Sequence, residues 1–286
     1  MTFSLSARVR PKGGPVRLRL QETATPPIQG RGRIVVMVHG YNTDEAGATK
    51  NYQELPDGLR SAYSDGGPLV PETMGGLFWP GDANWWIFSA LSYPQEMGQA
   101  KDTAARLAEF LRTLQGPSGG SMRVDFFGHS LGCRVVLETL RAARPYFADL
   151  RVYFGNICLA AAAVPLPMLE PGRRLNSIMA VSQRLVVLHS HGDRTLHWAF
   201  PPGETAAGEG FFPHALGRDG APPWVQAENH RLDDLDHGDY WTAANSLYFA
   251  ADSFRLGAMP RLLFPYAVGA HAVDSHALPP PHEIGP

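Results

Sequence analysis

The chain has 286 residues, and its 25 Lys and Arg against 27 Asp and Glu give a formal charge of -2, with 44% of residues apolar. That size and apolar content suit one elaborated globular domain with a large core. The balanced charge and the lack of any Lys/Arg run exclude the electrostatic footprint of a nucleic-acid binder and of a polybasic lipid surface. Cys133 and Cys158 lie in apolar stretches and read as reduced, buried hydrophobes, not as a disulfide framework. The first 20 residues lack the apolar core of a signal peptide, and the apolar run 157–168 is broken by Pro165 and Pro167 and is too short for a membrane helix. A cytoplasmic location without a transmembrane segment is expected; peripheral membrane contact and oligomeric state stay open.

In chain order, alternating runs at 7–10 and 16–20 flank a Pro-Lys-Gly-Gly-Pro turn and predict a hairpin at a sheet edge. Residues 34–38 are a continuous β-branched run, the pattern of a strand buried on both faces, and they end at His39-Gly40. A helix is expected within 43–60, and a second buried strand at 76–79 stops at Pro80-Gly81. Ala100, Ala104, Leu107, Leu111 and Leu114 recur at steps of four and three and so share one helical stripe. A strand at 124–127 runs into Gly128-His129-Ser130-Leu131-Gly132, after which apolar spacing marks a helix up to Pro145. Apolar runs at 152–164 and 185–188 continue the alternation, and 225–232 offers a last strand. The order predicts a mostly parallel central sheet with helices on both faces, within a domain spanning 1–257. Segments 80–95 and 195–224 are candidate lids, and 258–286 is a Pro-rich tail.

A Gly-x-Ser-x-Gly match alone is weak, but here it follows a strand and opens a helix, the setting that exposes a serine hydroxyl on a sharp turn. Ser130 is the candidate nucleophile. A serine needs a histidine to take its proton and a carboxylate to hold that ring. Asp193 lies just past the carboxyl end of the 185–188 strand, where open α/β sheets meet ligands, and is the candidate acid. His237 sits in a polar, turn-forming loop and is the candidate base, the order Ser130, Asp193, His237 being the one this strand arrangement supplies. His230 is the rival base, and Asp236 and Asp239 are rival acids. His189 and His191 read as pocket lining. The amides of Leu131 and Tyr41 are candidate donors to an oxyanion, with Gly40 permitting the turn that aims the second. Trp79, Trp85 and Trp86, with Phe88 and Tyr93, suggest an apolar acyl or alkyl pocket, with core packing as the alternative. His271, His276 and His282 lack metal-ligand spacing.

The stretches VVMVHGYNT, LFWPGD and FFGHSLGCRVV together resemble an α/β-hydrolase, and specifically a bacterial-type group known as a domain of unknown function that shares HGYN, a strand ending in Trp-Pro and a serine elbow. The resemblance spans about residues 30–245; within it, 195–224 matches no placed pattern. It implies Ser130 as nucleophile, Leu131 and Tyr41 as oxyanion donors, Asp193 as acid and His237 as base. The expected activity is that of a carboxylesterase or lipase-like serine hydrolase on a small-molecule ester or acyl substrate, with no cofactor and no metal. An acyltransferase using the same residues, or a non-catalytic binding protein on the same fold, are the alternatives. The Gly-x-Gly-x-x-Gly and Gly-x-x-x-x-Gly-Lys-Ser/Thr signatures of nucleotide sites do not occur.

Overall fold

The computed structural model describes residues 1–11, 14–62, 73–82 and 93–254. Among the described residues eight strands make one sheet: β1 (Phe3–Arg8), β2 (Val16–Ala24), β3 (Arg33–Val38), β4 (Met74–Phe78), β5 (Met122–His129), β6 (Val152–Ala160), β7 (Arg184–His189) and β8 (Glu228–Arg231). Their spatial order is β2-β1-β4-β3-β5-β6-β7-β8. β2 runs antiparallel to β1 and every other pairing is parallel. The helices are α1 (Glu45–Ala62), α2 (Tyr93–Leu111), α3 (Leu131–Ala143), α4 (Phe200–Ala206), α5 (Leu216–Asp219) and α6 (Ala244–Phe254). α1 packs with α6 and α2 with α3, so the sheet is covered on both faces.

The hydrophobic pattern explains the central elements. Ile34 to Val38 are all fully buried, as a strand between two helical layers requires. The stripe Ala100, Ala104, Leu107, Leu111 and Leu114 is buried as its spacing predicts. The expected amino-terminal hairpin is present but is not wholly an edge. β1 starts at Phe3, buries Phe3, Leu5 and Ala7, and inserts between β2 and β4, leaving β2 as the edge. The apolar run after residue 152 leaves the sheet at Ala160, because Ala161 takes a φ of 45° and turns the chain across the strand ends. β8 is shorter than the strand expected at 225–232.

Two glycines inside β4 let its neighbours close in. A Cβ at Gly76 would lie 2.1 Å from the Tyr52 ring of α1, and one at Gly75 would lie 2.3 Å from the Phe3 ring. Segment 195–224 forms a π-helical turn (Thr195–Ala199), α4 and α5. It is fastened to the body by charge: Glu209 meets Lys101 of α2 at 2.6 Å and Arg174 at 3.4 Å, beside the buried Arg134–Glu138 pair of α3. Residues 12–13 and segments 63–72, 83–92 and 255–286 lie outside the described residues, and with them the middle of the expected Pro-Lys-Gly-Gly-Pro turn, most of the candidate lid 80–95 and the whole Pro-rich tail.

Gly76→Ala is expected to lower the free energy of unfolding by about 1–3 kcal/mol, because the added methyl must displace a packed aromatic ring. Gly98→Ala, on α2 with nothing within 4 Å of the added Cβ, should instead raise stability by roughly 0.5–1 kcal/mol through helix propensity. Urea denaturation of both variants checks the pair of opposite signs.

Candidate active site

β5 ends at His129 and α3 begins at Leu131, so Ser130 alone makes the turn between them. It does so with φ 53° and ψ -124°, a left-handed conformation that is costly for a residue with a side chain. The cost is met by close packing. A Cβ at Gly132 would lie 2.3 Å from the Val38 carbonyl oxygen and 2.4 Å from that of His39, so the first turn of α3 rests directly on the end of β3. The Ser130 N–H donates to the Ala160 carbonyl at 2.9 Å, and its own carbonyl accepts from Ala163 and Cys133, both at 3.1 Å. The hydroxyl is thereby held at the rim of the sheet's carboxyl edge, with the residue 6% exposed.

His237 reaches that hydroxyl from a loop 107 residues away in sequence: Nε2 lies 2.8 Å from Ser130 Oγ, and Nδ1 lies 2.7 Å from Asp193 Oδ2. A carboxylate accepts only, so Nδ1 carries the ring proton and Nε2 is left to accept from the serine. Asp193 is fully buried, and its other oxygen accepts the Leu196 N–H at 2.9 Å, which fixes the carboxylate at the start of the π-helical turn. An imidazole so placed can take a hydroxyl proton, and the carboxylate can stabilise the imidazolium that results.

The end of β3 closes the other side. A Cβ at Gly40 would sit 2.8 Å from Ser130 Cβ, so the His39-Gly40-Tyr41 turn passes the serine at van der Waals range and only glycine fits. His39 is fully buried; burial first, and the Arg8 charge second, push its pKa down to about 3. Its neutral ring accepts the Trp79 N–H at Nε2 (3.3 Å) and donates from Nδ1 to the Gly40 carbonyl (2.9 Å). Arg8 of β1, buried with Asp82 at 2.5 Å, donates to the Thr43 carbonyl at 2.6 Å and so anchors the far end of the same turn. Asn42, with φ 54°, donates its N–H to the Gly81 carbonyl at 2.5 Å. Leu131 opens α3, so its N–H has no partner within the helix and lies at the positive end of the helix dipole.

The family described as alpha/beta hydrolase of unknown function (DUF900) matches residues 23–200. The chain belongs to that family. The matched stretch contains Ser130 and Asp193 and ends before His237. No curated protein matches the chain. Among solved structures, a candidate hydrolase from Agrobacterium vitis S4 is 12% identical over 80% of this chain and 89% of its own, with a TM-score of 0.45. A cold-adapted esterase from an Arctic intertidal metagenomic library is 11% identical over 82% and 86%, TM-score 0.40. Esterase B from Lactobacillus rhamnosis is 9% identical over 82% and 77%, TM-score 0.39.

In this α/β hydrolase the rival side chains lie elsewhere. His230 is on β8 and stacks on Phe249 of α6, ring centroids 3.9 Å apart, far in role from the serine. The Asp239 carboxylate caps its own loop by accepting the Asp236 N–H at 2.9 Å, and Asp236 is exposed. His189 faces the Arg218 carbonyl and Gly220, and His191 is exposed beside Asp233, so neither lines the serine's surroundings as expected. Trp79 also differs from the expected substrate contact. Its indole is fully buried, stacks on His39 at 5.4 Å and donates to the His39 carbonyl at 2.8 Å, a packing role beneath the turn. Trp85 and Trp86 lie outside the described residues. Sequence reasoning missed Arg8, His129 and an open, mostly apolar groove of about 340 Å³ between Leu166, Pro167, Phe212 and Trp224. Among the described residues no group of three His, Cys, Asp or Glu could hold a metal, and no helix is long and apolar enough to cross a membrane.

Buried titratable groups give the stability a pH dependence of known sign. His39 and His129 both have pKa values pushed down to about 3 by burial, so the unfolded chain takes up protons that the folded chain refuses; their contribution is lost as pH falls from 6.5 towards 3. Glu96 is the converse: burial, and then the Asp82 charge, push its carboxyl up to about 8, so the folded chain holds a proton that the unfolded chain releases, and stability falls as pH rises from about 4.5 to about 8. Glu96→Gln should flatten the alkaline side of a stability-against-pH curve measured by urea denaturation, and leave the acid side in place.

Proposed function

We propose that the protein is a serine hydrolase that cleaves carboxylic ester or related acyl bonds of small molecules through an acyl-enzyme on Ser130. The single observation that carries this reading is the unbroken hydrogen-bonded line from Ser130 Oγ to His237 (2.8 Å) to Asp193 (2.7 Å), set on a strained strand-to-helix turn. Ser130 Oγ attacks the substrate carbonyl carbon while His237 Nε2 takes the hydroxyl proton. The N–H groups of Leu131 and Tyr41 receive the oxygen that becomes negative, Leu131 at the helix start and Tyr41 on the turn that Gly40 brings against the serine. The tetrahedral intermediate collapses, His237 returns the proton to the leaving alcohol, and Asp193 stabilises the imidazolium throughout. Water, deprotonated by His237, then attacks the acyl carbon and frees Ser130.

The test is turnover of 4-nitrophenyl esters of increasing chain length. Ser130→Ala should reduce kcat by about 10³-fold or more, and Asp193→Asn by about 10²- to 10⁴-fold with a smaller change in KM. Equal turnover by wild type and Ser130→Ala would rule out the acyl-enzyme. Product analysis with an added alcohol separates hydrolysis from transfer, water being the expected acceptor.

A further inference from the structure

The geometry points to His129 as a positioning residue that holds the His237 loop and the Gly40 turn at a fixed distance from Ser130. The ring of His129 is 7% exposed and lies between those two segments. On one side its Nε2 donates to the main-chain carbonyl of His237 at 2.6 Å, and the two imidazole centroids are 5.1 Å apart at 53°. On the other side its Nδ1 would be 3.2 Å from a Cβ on Gly40, close enough to leave that turn no slack. A carbonyl accepts only, so the proton must sit on Nε2, and burial keeps the ring neutral and the tautomer single.

The position of this bond gives it its function. The loop around His237 is tied at its flanks: Ser190 Oγ donates to the Leu235 carbonyl at 3.2 Å, and Ser246 Oγ donates to the Tyr240 carbonyl at 2.7 Å. Neither touches residue 237. Among the described residues, the His129 bond is the one that grips the main chain of His237 itself. Because His129 directly precedes Ser130, nucleophile and imidazole are referred to the same rigid pair of residues at the end of β5. A ring displaced by about 1 Å would leave Oγ beyond hydrogen-bond reach.

The kinetic part of this inference rests on the hydrolase reading; the spectroscopic part does not. His129→Phe keeps the ring volume without the donor, His129→Gln restores an N–H at similar reach, and His129→Asn places one too short to arrive. On 4-nitrophenyl butyrate, His129→Phe and His129→Asn should lose roughly 10- to 100-fold in kcat with little change in KM, while His129→Gln stays within a few-fold of wild type. By proton NMR, the low-field Nδ1–H of His237 bonded to Asp193 should persist in wild type and His129→Gln and be lost to exchange in His129→Phe and His129→Asn. Equal kcat in all variants, equal loss in all three, or a low-field proton surviving in His129→Asn would overturn the role. If His129→Phe does not fold, the Gln and Asn variants decide. If wild type turns over no ester, the hydrolase reading fails while the proton signal still decides the place of His129.

Discussion

The contact of Gly132 with the end of β3 is the constraint on which the rest of this site depends. α3 can begin only where its first turn lies on the Val38 and His39 carbonyls, and this leaves Ser130 a φ of 53° and no alternative. A non-glycine residue held there costs about 1–3 kcal/mol, which persists only if the surroundings fix it from several sides. They do so through Ala160, Ala163 and Cys133 hydrogen bonds to the Ser130 main chain and through the Gly40 turn pressed against its Cβ. The strain aims one hydroxyl out of the sheet, and β3, β5 and β6 supply the rigidity.

The same packing makes the polar groups around the serine mutually dependent. His39 and His129 are neutral because they are buried, and a neutral ring with one proton can be both donor and spacer. Arg8 ties the Thr43 carbonyl from β1, so the turn carrying Tyr41 is fixed at one end by Ser130 and at the other by a buried ion pair with Asp82. Breaking such a pair from one side leaves an uncompensated charge, which is why it serves as an anchor more than as a source of stability. On the acid side, Asp193 is fixed by Leu196 before it meets His237, so its carboxylate arrives already oriented.

Much of this arrangement was legible in the sequence because it is local. The strand run 34–38, the Gly-His-Ser-Leu-Gly turn and the spaced apolar residues of α2 each carry their geometry within a few positions. Ser130, Asp193 and His237 could be named from strand ends and chain order, and the structure brings these three together while His230 pairs with Phe249. The contacts that were not legible join residues with no common pattern. Arg8 meets Asp82 across 74 positions, and His129 meets the His237 carbonyl across 108. Trp79 misled for a related reason: an aromatic after a strand can face a ligand or the core, and only the position of His39 decides that it faces the core. Nothing local to Gly75 and Gly76 marks the rings of Phe3 and Tyr52 that occupy the space above them.

The most direct measurement of the central claim is mass-spectrometric mapping of the protein after exposure to an active-site-directed fluorophosphonate. A single covalent adduct on Ser130 is expected, formed far faster than on any other hydroxyl and suppressed when His237 is replaced by alanine. No adduct, or an adduct on another residue that forms equally well in the absence of His237, would contradict it.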